Sequence, residues 1–342
     1  MEPDTITTRL RTAQVIRGPA LGRGLLARYR RAGADPPFGD PARDHGARFE
    51  GYYWRITDAD RGRVVVALCG VCVLPGRRWA VLALAAHPSG RVHTAIADRA
   101  AGDPTRFGVR VEGVGEGSER ELRLELGPDA VLDVELRNLV GWPRPALGGS
   151  GSAQLLPGLP QYWHPWAMGG VAAGEARIGG EPVSLDGARV YMERNWGRAF
   201  PERWWWGQAD AFDAGDVCVA FAGGPVRVAG VPLTPTLVAV RAGERLIALA
   251  PPLARTVARV GGGAWAVHAR SAAYVVELEG DEAGSAVAMP VPLADRVAAE
   301  PRSRQALAGR LGVVVRRRGR TLLRAESCLA GLEREREEVD CA

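Results

Sequence analysis

The sequence predicts an all-β protein made of antiparallel barrels or sandwiches. Short apolar or alternating runs recur along most of the chain, clusters of Gly, Pro and Asp separate them, and no long amphipathic stretches of the kind that form crossover helices lie between them. At 342 residues the chain exceeds one typical core, so it holds two domains of similar size or one large β-architecture.

Residues 1–35 carry Leu10, Ile16, Leu21, Leu25 and Leu26 among many arginines, with Gly and Pro breaking any long helix. They read as an N-terminal arm with a short helix over 21–31, followed by a loop at 36–41; folded structure is expected from near Arg48. Strands are then expected over 49–56, 63–74, 79–86, 91–96, 121–126 and 130–136, with turns at 58–62, 75–76 and 127–129. The second half repeats the texture at 203–212, 217–222, 237–241, 245–250, 264–270, 273–279, 312–316 and 321–325. Between the halves, 141–160 contains Gly148-Gly149-Ser150-Gly151-Ser152 and divides a first domain (36–160) from a second (161–342). Helix is expected only over 293–299, 304–311 and 332–339, where the Glu and Arg run of the tail reads as a solvated helix face or a frayed end.

Hydrophobic residues make up 46% and charged residues 24%, an ordinary balance for a globular protein. No apolar run reaches the roughly 18–20 residues that span a bilayer, and Met1-Glu2-Pro3-Asp4 lacks a basic region followed by an apolar one. A soluble, cytoplasmic protein is the expectation. The formal charge is +5, yet all 44 basic residues are arginine. The absence of lysine excludes a lysine Schiff base and a phosphate-cradling P-loop. No nucleic-acid partner is expected. The densest basic cluster, Arg316-Arg317-Arg318 with Arg320, sits between two apolar strands and reads as a hairpin turn; its alternative is peripheral contact with anionic lipid headgroups.

Five cysteines, an odd number, argue against a disulfide framework. Cys69-Gly70-Val71-Cys72 has the spacing of half a zinc knuckle, but it lies in a strand pattern that points the two thiols to opposite faces. The histidines at 45, 87, 93 and 268 are scattered, so no metal site is expected. Gly-x-Gly-x-x-Gly opening a helix, Gly-x-Ser-x-Gly and His-Glu-x-x-His are all missing.

The chemistry concentrates elsewhere. Six of the ten tryptophans (Trp163, Trp166, Trp196, Trp204, Trp205 and Trp206) fall in one short stretch together with His164, Tyr191, Glu193, Asn195 and Asp210. These rings are either core or the lining of a pocket for a bulky organic ligand. On a strand Trp204 and Trp206 face one side and Trp205 the other, so at least one ring reaches a cavity or interface. A carboxylic acid buried against indoles is disfavoured in its charged form and holds a proton at neutral pH. Glu50, Glu193 and Asp210 are the candidates for such a general acid.

The run Glu193-Arg194-Asn195-Trp196-Gly197-x-x-Phe200-Pro201-x-x-Trp204-x-Trp206-x-Gln208 resembles the tocopherol cyclase family, as do Phe49-Glu50-Gly51-Tyr52-Tyr53-Trp54 and Gln161-Tyr162-Trp163-His164-Pro165-Trp166. That family belongs to a wider group with carotenoid hydratases and lipocalin-like natural-product cyclases, and the likeness covers about 36–285. It implies two lipocalin-like β-barrels with a pocket between them or in the mouth of the second. It also implies a reaction without a redox cofactor, in which an acid protonates the alkene of a prenylated hydroquinone and the neighbouring phenol oxygen captures the tertiary cation. By the same resemblance Glu193 is the favoured acid, with His164 as an uncharged partner that orients it or relays its proton and Trp166 beside it. Asn195 and Gln208 would bind the quinol hydroxyls, Glu50 or Tyr53 would accept the phenolic proton, and Trp196, Trp204 and Trp206 would shape the hydrophobic pocket. The bland alternative for Glu193 is an ion pair with Arg194 or Arg203. Arg198-Ala199 departs from the small residues of plant-like members and opens the option of an acidic ligand group. Two rival functions stay open: a non-catalytic carrier of a lipophilic quinone or terpenoid, and a hydratase or other cyclase on the same scaffold.

Overall fold

A computed structural model of the chain describes residue 24 and residues 47–103, 106–143, 147–156, 159–228, 230–284 and 286–336. Apart from residue 24, the arm and helix expected over 1–35 and the loop at 36–41 lie outside these residues.

Two antiparallel sheets, of 13 and 10 strands, make up almost all of the regular structure among the described residues. From one edge, the first runs Arg91–Asp98, Arg77–His87, Arg63–Leu74, Phe49–Asp58, Arg189–Gly197, Val171–Ile178, Ala130–Arg137, Glu121–Gly127, Gly115–Ser118, Gly108–Val111 and Ala100–Gly102. Gln161–Ala167 also pairs with Arg189–Gly197. The second runs Arg245–Leu249, Thr236–Ala242, Val217–Gly223, Trp205–Ala209, Arg320–Glu335, Ser303–Arg317, Tyr274–Asp281, Ala264–Arg270 and Arg255–Gly261. Each sheet curls around its own apolar core, as the all-β, two-barrel expectation requires.

Strand alternation builds three layers from these two sheets. Tyr52, Trp54 and Ile56 point into the core of the first sheet with Val190, Met192 and Leu132. Their neighbours Tyr53 and Tyr191 point the other way and meet Trp206, Cys218 and Leu307 between the sheets. Trp265, Val267, Val313 and Leu332 fill the core of the second sheet. Cys69 lies in the first core and Cys72 in a cluster on the opposite face, as their spacing predicts.

Arg189–Gly197 is central to the first sheet because it pairs with Phe49–Asp58 from Phe49↔Gly197 to Thr57↔Arg189. The first sheet therefore takes in strands from both sides of the 160/161 division expected from sequence, and the chain passes to the second sheet between Gly197 and Trp205. Two helix expectations are corrected. Residues 304–311 lie in the strand Ser303–Arg317, where the pairings to Ala286–Met289 and Arg320–Glu335 override the helix propensity of Ala and Leu. Residues 293–299 have no regular structure; Leu293 and Ala294 are buried against Phe49, Trp79 and Trp204 instead. The third, over 332–339, is strand as far as Glu335, and 337–339 lie outside the described residues. The arginine cluster is the hairpin turn expected, with Arg318 and Gly319 both at positive φ in a two-residue connection. No helix among the described residues is long and apolar enough to cross a membrane.

Candidate active site

A cavity of about 530 Å3 opens between the two sheets. The first sheet contributes Tyr53, Trp163, Glu193 and Asn195, and the second contributes Trp206, Gln305 and Glu333, with Trp204 from just before the strand Trp205–Ala209. Alternation selects these residues: on Arg189–Gly197, Tyr191, Glu193 and Asn195 face the second sheet, while Met192, Arg194 and Trp196 face away. Trp204 and Trp206 give their indole N–H groups to the cavity carboxyls Glu333 and Glu193, while Trp205 packs against the second core and donates to Thr236, although it too reaches the cavity lining. Gly51 keeps the wall thin, since a Cβ there would lie 2.3 Å from Asn195 Oδ1.

Glu193 is 4% exposed and has one oxygen fixed by three donors. Oε2 accepts from Tyr191 Oη at 2.6 Å, Trp163 Nε1 at 2.8 Å and Trp206 Nε1 at 2.8 Å. No hydrogen bond is formed by Oε1 among the described residues, so it is the oxygen available to carry a proton. Burial pushes the Glu193 carboxyl up to about 7, against the pull of the three hydrogen bonds; the nearby Glu333 charge adds to the rise. The ion pair with Arg194 or Arg203 considered from sequence does not form: Arg194 pairs with Glu50 and Arg203 with Glu335.

Tyr53 also lines the cavity. Its hydroxyl accepts from Gln305 Nε2 at 2.7 Å, its ring meets Trp206 edge-on at 5.2 Å, and burial pushes its pKa well up. Gln305 lines the cavity, and its Oε1 is buried with no hydrogen-bond partner. Asn195 Oδ1 is likewise buried and unpartnered.

Several residues expected at the site are elsewhere. His164 and Trp166 fall on the opposite face of Gln161–Ala167 from Trp163, because odd and even positions of a strand diverge. The His164 Nδ1 accepts from the Gly149 amide at 3.2 Å, and burial with the Arg194 charge pushes its pKa down to about 3. It is uncharged as expected, but it does not reach Glu193. Trp166 stacks on Phe107 at 5.2 Å. Glu50 points into the first core, ion-paired to Arg194 at 2.6 Å with both side chains fully buried. Trp196 is fully buried, stacked on Tyr162 at 5.4 Å and covered by Arg194 at 4.2 Å. Gln208 and Asp210 share the face of Trp206 but lie past the end of the cavity, where Gln208 Nε2 meets Cys218 Sγ at 3.7 Å. Burial raises the Asp210 carboxyl while Arg55 lowers it. Because Trp196 is core, Trp196→Ala is expected to cost about 3–5 kcal/mol of stability, read from the urea midpoint, with ligand affinity unchanged in the fraction that folds.

Sequence reasoning missed Glu333 and Gln305. They come from the strand pair at the far end of the chain, where 304–311 and 332–339 looked helical. Glu333 Oε1 accepts from Trp204 Nε1 at 2.7 Å, and burial pushes its carboxyl up to about 7. No Arg, Lys or His is among the described residues lining the cavity, Arg198 included. Its chemistry therefore suits an uncharged or cationic ligand, which removes the basis for an acidic ligand group. Among the described residues no group of three or more His, Cys, Asp or Glu side chains is placed to hold a metal ion.

The model for tocopherol cyclase-like proteins matches residues 116–334, more than half of the chain. The chain belongs to the tocopherol cyclase-like family. Within that family, the chloroplastic tocopherol cyclase of Zea mays is 27% identical over 165 residues, which is 46% of this chain and 35% of the maize protein. The matched stretch thus spans about a third of that relative. Among solved structures, CghA aligns with a TM-score of 0.58 at 12% identity, covering 84% of this chain and 88% of its own. Kievitone hydratase from Nectria haematococca aligns with a TM-score of 0.51 at 11% identity, covering 89% and 91%. At such identities these two establish a shared fold. The maize relative is named a cyclase and the Nectria haematococca neighbour a hydratase.

Proposed function

We propose that this tocopherol cyclase-like protein closes a prenylated hydroquinone, or a related phenolic or terpenoid compound, to a chromanol-type ring by proton-initiated cyclisation. The observation that carries the reading is Glu193: a carboxyl in the wall of an aromatic cavity, held by three donors on one oxygen, with its affinity for a proton raised to about 7. Such a group is substantially protonated near neutral pH. It transfers the proton to the alkene, and the three donors stabilise the carboxylate left behind. Trp163, Trp204, Trp206 and Tyr53 surround the tertiary cation, where a face-on ring contributes about 0.5–2 kcal/mol. Gln305 and Asn195 line the cavity, and a turn of either amide brings its unpartnered oxygen to a substrate hydroxyl. The reaction is an isomerisation, so it consumes no reductant or oxidant.

The test is anaerobic incubation of the purified protein with a panel of prenylated hydroquinones, followed by mass spectrometry. A product of unchanged mass and altered retention is the expected result. A product heavier by one water assigns a hydratase. Tight binding with no conversion of any member overturns the enzymatic reading in favour of a carrier.

A further inference from the structure

Beyond the first acid, the geometry points to Glu333 as the second proton-handling group: the base that accepts the proton of the attacking hydroxyl while Glu193 supplies one to the alkene. This rests on the cyclisation reading above. Glu333 lies on the cavity-side face of Arg320–Glu335, since Leu332 next to it packs into the second core. No ion pair reaches it among the described residues; its partner is an uncharged indole, Trp204.

Sheet register ties the two carboxyls together. Tyr53 is the cross-strand partner of Glu193 in the first sheet, and Gln305 is the cross-strand partner of Glu333 in the second. The Tyr53–Gln305 hydrogen bond joins these pairs across the gap. Trp206 is the other cross-strand neighbour of Glu333, yet its indole N–H goes to Glu193. Each carboxyl is thus anchored to the framework that holds the other, on opposite walls, with no hydrogen bond between them among the described residues. Burial is the main cause of the rise in each carboxyl, and the charge on Glu333 adds a smaller rise to Glu193. With both pushed up to about 7, the state with one wall protonated and the other ionised is substantially populated near neutrality. That state presents one acid and one base to a ligand between them.

The step balances without a co-reactant. The Oε1–H bond of Glu193 breaks and a C–H bond forms at the less substituted alkene carbon. The hydroxyl oxygen bonds to the tertiary carbon, its O–H bond breaks, and the proton goes to the Glu333 carboxylate. The substrate is isomerised, and one proton has moved from Glu193 to Glu333. Return of that proton through solvent resets the pair.

The experiment is Glu333→Gln, assayed with geranylgeranyl hydroquinone across pH and titrated without substrate by carboxyl infrared spectroscopy. Turnover in the wild type requires Glu193 protonated and Glu333 ionised, so its pH profile is a bell. The variant is expected to lose about 10²-fold in kcat. It should keep the fall on the alkaline side and lose the fall on the acid side. In the infrared titration, Glu193 should ionise at lower pH once its charged neighbour is gone. A uniform loss of rate with the bell intact would show a structural role and overturn the proposal. Loss of the alkaline limb would reverse the two roles and overturn it as well. An unmoved Glu193 titration would show that the two carboxyls do not face one ligand site and would overturn the proposal. A wild-type protein that converts no hydroquinone removes the cyclisation reading and the base role with it, while the titration still reports on the pair.

Discussion

Glu193→Gln is expected to lower turnover by about 10²–10⁴-fold, the usual contribution of a positioned general acid, while leaving the protein folded. Glutamine keeps the shape and the acceptor that Tyr191, Trp163 and Trp206 use, and lacks only the proton. The same variant should show an opposite effect on stability. The folded pKa of Glu193 is raised from 4.5 to about 7, so its contribution to stability is fully present below about 4.5 and is lost as pH rises through about 7. Above that window burying the charge costs about 3 kcal/mol, which glutamine avoids. The variant should therefore unfold at higher urea than the wild type at about pH 8, and the two midpoints should converge at about pH 4. Retained turnover in Glu193→Gln would remove it as the acid. A fall in both activity and alkaline stability would mean that the substitution disrupts the wall.

Arg194→Met should produce a large loss of stability in the first sheet, about 3–5 kcal/mol. Arg194 and Glu50 are fully buried and 2.6 Å apart, so removing the guanidinium leaves a carboxylate in an apolar core without its counter-charge. Burial lowers the Arg194 pKa to about 10, but the partner charge still holds it as a cation at neutral pH. The loss also removes the cover over Trp196. Adding Glu50→Gln to Arg194→Met should recover much of the stability, because no uncompensated charge then remains. If the double variant is no better than the single one, packing on Trp196 rather than charge is what Arg194 supplies. Either way the catalytic profile of the folded fraction should hold its pH dependence, since this pair faces away from the cavity.

Much of the architecture was legible because strand alternation is local. The Trp204, Trp205 and Trp206 run told which ring faces which way, and Cys69 and Cys72 were placed on opposite faces by the same rule. The Arg318-Gly319 turn was legible from charge between two apolar runs. Glu193 was found because motif and aromatic density coincide there. The strands Gln161–Ala167 and Arg189–Gly197 were harder to see, since their core side carries His164, Arg194 and Trp166 instead of a clean apolar alternation. Placing His164 beside Glu193 carried a pairing over from the resemblance on motif alone. On a strand, that inference fails for residues on opposite faces.

By itself the sequence determined the all-β class, the family, and the aromatic stretch that supplies one wall of the cavity, because these depend on short-range periodicity and on motif. Only the tertiary structure decided which acids line the cavity. It neutralised Glu50 with Arg194, placed Asp210 past the end of the cavity, and brought Glu333 and Gln305 from the last two long strands to face Glu193. The physical reason is that a carboxyl's proton affinity is set by burial and by its partners across a gap between two sheets, and no local pattern encodes which distant strand will stand on the other side.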